Sequence, residues 1–369
     1  MKPDVPQPAL KDSFFPAARY REVARLVRGL CPAFDERAFL RHALRDLDAL
    51  SLMQRLRRMS ESLHAALPGD FHRNLAVLRE LAPLLPAGFG TLFLPDYVAL
   101  YGRHDPAASL DALRYFTRFG SSEFAVREFL RDDLGGTLAT LVEWAHDEDE
   151  HVRRLASEGT RPRLPWSFRI PELAANPGLA APILEALRAD PSLYVRKSVA
   201  NHLNDITRAH PQWVLDRLEA WPRDDARTAW IVRRALRTLV KAGHPRALAL
   251  IGAGSKARVR VRRFEVGPAR LRLGERLTLA LELVSTARAG QRLVVDYAIH
   301  YVRRSGTRAK VFKWKEVTLA PGERILLTRS QQIRDFSTRR HHPGRHVVEA
   351  LVNGARVAAA AFHIVRQRR

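Results

Sequence analysis

The chain has 369 residues, a net charge of +23 and a pI near 11.2. Its single cysteine, Cys31, excludes an intrachain disulfide and suits a reducing compartment. No apolar run approaches the roughly 20 residues of a membrane-spanning helix. The N-terminal MKPDVPQPALKDSFF lacks the apolar core of a signal peptide, so a cytoplasmic, nucleoid-associated protein is expected.

So large a positive charge points to a polyanionic partner, although an arginine-rich genome would also raise it. The charge is uneven. Residues 257–369 hold 25 Lys and Arg against 8 Asp and Glu, a net of +17, and the preceding 256 hold 37 against 31, a net of +6.

Residues 1–18 are proline-rich and read as an irregular arm. From Arg19 to about Leu250 apolar residues recur every three to four positions, which predicts helices. Arg19–Leu30, Asp35–Leu47, Leu52–Leu67 and Arg73–Leu85 lie between Pro32, Pro68-Gly69 and Pro86. Asp111–Phe119, Phe124–Leu130 and Thr137–Trp144 continue the series.

An internal repeat follows. Val152-Arg153-Arg154, Val195-Arg196-Lys197 and Val232-Arg233-Arg234 recur after 43 and then 37 residues, each behind an acidic or turn-prone start (HDEDEH, ADPSLY, DDARTAW). A two-helix period near 40 residues predicts a HEAT-like α-solenoid with a concave binding face; a plain helical bundle is the alternative. In this register Arg154, Lys197 and Arg234 share one position, and Glu158, Asn201 and Thr238 another. The expected result is a ladder of cations with carboxylates among them.

Gly252 to Lys256 (GAGSK) reads as a flexible link. Beyond it the period changes to two, over Arg258–Val266, Leu271–Leu283, Leu293–Val302, Val311–Leu319, Ile325–Ile333, His346–Val352 and Arg356–Ile364. Asn353-Gly354 between two such runs predicts a tight hairpin. Some 110 residues of this spacing suit an immunoglobulin-like β-sandwich. The predicted organisation is therefore an arm (1–18), a helical-repeat catalytic domain (19–251), a linker (252–257) and a basic, DNA-binding β-sandwich (258–369).

The chemistry concentrates in Asp147 to Trp166, DEDEHVRRLASEGTRPRLPW. Val152, Leu155 and Ala156 form an apolar helix face, and Glu150, Arg154 and Glu158 share another stripe. Gly159 reads as the residue that ends the helix, which leaves Glu158 against the negative pole of the helix dipole. The prolines of TRPRLPW stiffen the loop that presents Trp166. Glu158 and Asp205 could stabilise a cation or orient water, with Trp166 offering a ring face. The plainer alternative pairs both acids with the abundant arginines and leaves Trp166 as loop packing.

The segments SSEFAVREFL (Ser121–Leu130), VRRLASEGTRPRLPW (Val152–Trp166) and YVRKSVANHLNDI (Tyr194–Ile206) resemble the AlkC family of bacterial DNA alkylation-repair glycosylases, a branch of the HEAT-like AlkC/AlkD superfamily. The resemblance covers roughly residues 10–250, and some family members also carry an immunoglobulin-like C-terminal domain. It implies excision of cationic N3-alkylated bases, 3-methyladenine and 3-methylcytosine, from double-stranded DNA by a monomer using water and no cofactor or metal. It also implies that bent DNA is held without a snug base pocket. Carried over, the family's functional residues fall on Glu123, Glu158, Trp166 and Asp205. A noncatalytic repeat scaffold that binds nucleic acid or an acidic protein is the competing reading.

Candidate phosphate contacts are Arg154, Arg161, Arg163, Lys197, Arg233 and Arg237. In the β region, Arg303, Arg304 and Arg308 mark a basic hairpin tip, and Arg339, Arg340 and Arg345 a basic loop suited to a narrow minor groove. The histidines around that loop lack the second ligand pair expected of a zinc site.

Overall fold

The computed structural model describes residues 9–254, 256–304, 306–336 and 340–365. Seventeen α-helices precede eight β-strands among the described residues. The helices are α1 (Leu10–Phe14), α2 (Ala17–Leu30), α3 (Glu36–Ala43), α4 (Leu52–Ala66), α5 (Phe71–Leu81), α6 (Phe93–Tyr101), α7 (Pro106–Phe116), α8 (Val126–Asp132) and α9 (Leu134–Trp144). They continue with α10 (Glu150–Gly159), α11 (Pro171–Ala175), α12 (Ala181–Ala186), α13 (Leu193–Ile206), α14 (Pro211–Ala220), α15 (Ala226–Ala235), α16 (Arg237–Lys241) and α17 (Pro245–Leu250). No described helix is long and apolar enough to cross a membrane.

The chain forms two compact units, Met1–Ala209 with Asp224–Ile231, and His210–Arg223 with Val232–Arg369. The last helices thus group with the strands, so the division differs from the one expected at residue 251. The N-terminal segment also differs from expectation, because α1 and the start of α2 lie within the stretch read as irregular. Arg55, 1 % exposed, holds α1 there: it donates to Phe15 O at 3.0 Å and pairs with Asp12 at 3.0 Å.

In the first unit, helices close in sequence pack on one another, α2 on α3, α3 on α4, α4 on α6, α8 on α9, α9 on α10 and α10 on α13. This is solenoid-like layering. The turn-prone repeat starts are caps. Asp149 accepts from His151 N at the start of α10, and Ser192 from Tyr194 N at the start of α13. Asp225 accepts from Arg227 N and Thr228 N at the start of α15. Each such cap is worth about 1 kcal/mol.

The arginine after each repeat valine also has a common task in two of the three copies. Arg153 donates to the carbonyls of Asp147 and Glu148, and Arg196 to those of Asp190 and Pro191, each reaching back over its own helix start. Arg153 further chelates Asp190 of the next layer, at 2.7 and 3.2 Å.

In the second unit the strands are β1 (Val259–Gly267), β2 (Arg270–Leu271), β3 (Arg276–Ser285), β4 (Gln291–Val302), β5 (Thr307–Leu319), β6 (Arg324–Gln332), β7 (Gly344–Val352) and β8 (Ala355–Ile364). They make a three-stranded sheet, β1-β3-β6, and a five-stranded sheet, β2-β8-β7-β4-β5. All described pairings are antiparallel except β2 with β8. The run read as one strand over Leu271–Leu283 breaks near Gly274 (φ +99), and its two parts belong to different sheets. Alternating residues such as Leu277, Leu279, Leu281 and Leu283 of β3 and Leu293, Val295, Tyr297 and Ile299 of β4 fill the core between the sheets.

Within the segment expected to be a flexible link, two residues are anchored. Ala253 is buried, and Gly254 O accepts from Asn353 Nδ2 at 2.6 Å. Asn353 (φ +50) and Gly354 (φ +77) form the tight β7–β8 turn, and Val352 faces Ala355 across it. The turn abuts Gly243 (φ +72), just past α16, so closely that a Cβ on Gly354 would fall 2.2 Å from the Gly243 Cα.

Gly354→Ala therefore meets left-handed strain and a backbone collision together. The expected loss is about 2–4 kcal/mol, read by urea unfolding of the full chain.

Candidate active site

Glu158 is the centre of the site. It sits in the last turn of α10, 6 % exposed. Its Oε1 accepts from Arg161 Nη1 at 2.5 Å and its Oε2 from Ser198 Oγ of α13 at 2.6 Å; Arg154 Nη2 lies 3.6 Å from Oε1. Burial works to raise its pKa. The guanidinium groups of Arg154 and Arg161 and the Ser198 hydroxyl outweigh that, so its carboxyl lies below the ordinary range and stays ionised.

Arg161 ties the two expected carboxylates together. While Nη1 holds Glu158, Nε and Nη2 grip Asp205 Oδ2 at 2.9 and 2.7 Å. Asp205 titrates the other way: burial raises its pKa and Arg161 offsets only part of the rise. His202, fully buried on the same helix, is pushed down to about 3 by burial and by Arg161, and its Nδ1 lies 3.0 Å from Ser157 O. Burial thus favours the neutral ring, whose Nδ1–H donates to that carbonyl.

A cleft of about 420 Å³ opens beside Glu158 and is walled by Phe89, Ser121, Glu123, Arg154, Trp166 and Tyr194, among others. Glu123 lies in the turn before α8, and its Oε2 pairs with Arg154 Nη1 at 2.8 Å and accepts from Ser121 Oγ at 2.8 Å. The Arg154 guanidinium also lies 4.7 Å from the centre of the Tyr194 ring. Two carboxylates, Glu123 and Glu158, thus face the cleft with Arg154 between them. Asp205 is not among the residues lining the cleft. It reaches the site through Arg161.

Trp166 stands at the rim, 64 % exposed, its ring edge-on to Phe89 at 5.8 Å. Its φ of +66° is left-handed, which costs a bulky residue about 1–3 kcal/mol unless its surroundings impose it. The loop that holds it is bonded to Arg127 of α8. Fully buried, its guanidinium donates to the carbonyls of Gly159 at 2.7 Å, Arg161 at 2.9 Å and Phe168 at 2.7 Å, spanning the loop that carries the tryptophan. Burial, and next Arg161, push its pKa down to about 10, which leaves it charged.

The structure changes several expectations. Arg154 and Arg161, expected at phosphates, are both engaged by carboxylates, and Arg161 is 8 % exposed. A cation this buried and this paired shapes the acids instead. Gly159 is not the left-handed stop: it is the last residue of α10, and a Cβ there would lie 2.6 Å from Val126 Cγ1. Glycine is required by the close approach of α8. Glu158 and Asp205 are both paired with Arg161, and Trp166 is exposed with one contact to the Phe89 ring.

Arg163 and Lys197 are exposed in the first unit. In the second, Arg233 is exposed, and Arg237 is half-buried and donates to Arg234 O at 2.8 Å. Arg303, Arg304, Arg308, Arg340 and Arg345 are exposed, and Arg339 lies outside the described residues. The nearby histidines pack: His341 meets Asp335 at 3.1 Å, and His346 stacks on Phe362. Sequence reasoning missed Arg127, Ser198 and Tyr194. SSEFAVREFL contains Arg127, but a helical arginine reads as solvated until the loop it holds is seen.

The helical and β parts each match a known family. Residues 116–239 match the family of DNA alkylation repair enzymes, and residues 260–366 match the C-terminal Ig-like domain of the uncharacterised protein YhaZ. Fold and site together define a DNA alkylation repair class of protein with an appended Ig-like domain. The chain is 41 % identical over 330 residues to uncharacterised protein YhaZ of Bacillus subtilis (strain 168), spanning 89 % of this chain and 92 % of that one. It is also similar to the alkylpurine DNA glycosylase AlkC of Pseudomonas fluorescens, solved bound to DNA containing an abasic site analog. That match has 54 % identity and a TM-score of 0.94, and covers 97 % of this chain and all of the other. The chain belongs to the AlkC family.

Arg161→Met removes the shared partner of buried Glu158 and half-buried Asp205. The expected loss of stability is about 3–5 kcal/mol by urea unfolding.

Proposed function

We propose that the chain is a monofunctional DNA glycosylase that hydrolyses the N-glycosidic bond of cationic N3-alkylated bases, 3-methyladenine and 3-methylcytosine, in double-stranded DNA. The carrying observation is Glu158: a buried carboxylate, held ionised in a strongly basic protein, at the wall of a cleft whose rim bears an exposed tryptophan. The cationic base takes the bonding electron pair and leaves neutral. Positive charge moves to the deoxyribose, and water adds at C1′ and gives up a proton.

The residues are suited to the sugar cation rather than to protonating the base. Glu158 and Glu123 supply fixed negative charge, and such preorganised electrostatics are usually the largest catalytic contribution. A carboxylate has about four acceptor sites, and Arg161 and Ser198 leave room on Glu158 for a water. Trp166 presents its ring to the lesion sugar, where a π-face favours positive charge. Asp205 acts through Arg161, which it holds against Glu158. An open rim with one exposed indole supports bent DNA lying across the cleft without a closed base pocket.

In this reading Arg163 and Lys197 meet phosphates beside the cleft, and the exposed arginines of the β-sandwich, with Arg233 and Arg237, bind DNA as well. The protein works as a cytoplasmic, nucleoid-associated monomer without cofactor or metal.

Glu158→Gln should lower the single-turnover rate of base release from methylated duplex DNA by about 10²–10³-fold while binding to an abasic-site duplex persists. Undiminished release would reject the assignment, and tight DNA binding with no base release by the unmodified chain would favour a noncatalytic scaffold.

The pH profile follows from the opposed carboxyls. Glu158 is lowered and keeps its charge as pH falls; Asp205 is raised and loses its charge first. The acid limb of the rate should therefore have its midpoint above the usual aspartate value of about 3.9, and Asp205→Asn should move it to lower pH.

For the sandwich, replacing Arg303, Arg304 and Arg308 with Gln should reduce the slope of log binding constant against log salt by about 0.9 for each phosphate that is no longer neutralised.

A further inference from the structure

Arg127 has no part in the mechanism above, yet it is fully buried and carries three bonds to main-chain oxygens on both sides of one loop. The loop from Thr160 to Phe168 has few backbone bonds of its own: Arg161 N reaches Glu158 O at 3.3 Å and Ser167 N reaches Leu164 O at 3.4 Å. Its shape therefore depends on the guanidinium. Two of the accepting carbonyls flank the start of the loop, where the Arg161 side chain turns to both acids, and the third lies two residues beyond Trp166. The Phe168 ring closes over the same guanidinium at 5.6 Å. Glu123 lies four residues before Arg127, in the turn that opens into α8.

We propose that Arg127 is a positioning residue: its guanidinium clamps the Gly159–Phe168 backbone so that Trp166 faces the cleft and Arg161 spans Glu158 and Asp205 before DNA arrives. This rests on the glycosylase reading for its kinetic readout only. A lysine keeps the charge and much of the volume but offers a single nitrogen, and cannot hold carbonyls on both sides of the loop. The clamp works by preorganisation. Without it the loop samples other conformations, and reacting groups misplaced by about 1 Å can cost about 10²-fold in rate.

The test uses the full chain and its Arg127→Lys variant. Three quantities are read: single-turnover base release, affinity for an abasic-site duplex, and acrylamide quenching of Trp166 fluorescence, the latter by difference from Trp166→Phe counterparts. The expected result is a rate lowered about 10²-fold with affinity little changed, and a Trp166 signal altered without DNA while far-ultraviolet circular dichroism stays the same. An unchanged rate and an unchanged Trp166 signal in folded Arg127→Lys would overturn the proposal. If the unmodified chain releases no base, the glycosylase reading fails, and Trp166 quenching still decides the clamp. If Arg127→Lys does not fold, guanidinium proton exchange in the unmodified chain decides. Slow exchange at Arg127 with and without DNA supports a preformed clamp, and fast exchange without DNA rejects it.

Discussion

A buried acid must be kept charged inside a protein whose surface is crowded with positive charge, and the first unit is organised around that requirement. Burial alone would protonate Glu158, and free arginines alone would draw it to the surface. Arg154 and Arg161 instead come from its own helix and the loop directly after it, with Ser198 supplied by the next repeat. Both arginines are thereby engaged by carboxylates at the wall of the cleft. This is why Arg161 also needs Asp205: a guanidinium taken out of water requires more than one acceptor.

The repeat supplies the precision. Arg153 and Arg196 fasten the starts of α10 and α13 by the same device, and Arg153 reaches Asp190 in the loop before α13. Two helices fixed at the start of their first turns present Ser157, Glu158, Ser198 and His202 to one another in a fixed register. Small departures from the repeat shape the cleft: an acid in the last helical turn, a glycine at the close approach of α8, and a loop that holds an indole at positive φ.

Much of this was legible in the sequence, and the reasons are physical. Strand periodicity located seven of the eight strands, because a half-buried sheet alternates without ambiguity; β2, two residues long, merged into β3. Helix α6 escaped notice, since Phe93, Leu94, Pro95, Tyr97, Val98 and Ala99 are all buried and leave no polar stripe to give it a period. Glu158 and Trp166 stood out because an acid on a cationic stripe and a tryptophan after prolines break local rules, whereas Glu123 was singled out only by the family resemblance of SSEFAVREFL. Arg154 was read on the same stripe as Glu158, but Glu123 as its second partner, Arg161 as the link between Glu158 and Asp205, and the carbonyls held by Arg127 were not visible. Nothing in an arginine's neighbours along the chain distinguishes one that meets solvent from one that folds back on a carboxylate or a carbonyl. For Glu123, Asp205 and the carbonyls at Arg127, the partner segments lie about 30 to 45 residues away along the chain.

The meeting of Gly243 with the Asn353-Gly354 turn has a consequence for how such a protein can be assembled from parts. Main chain rests on main chain there: a methyl group on Gly354 would collide, and one on Gly243 would be tight at 3.2 Å. A sandwich grafted from another protein would have to bring a glycine to the seam and find one waiting. Cutting the chain at residue 251 would separate the Gly243 turn from the β7–β8 turn it packs against, so the cut falls inside one compact unit.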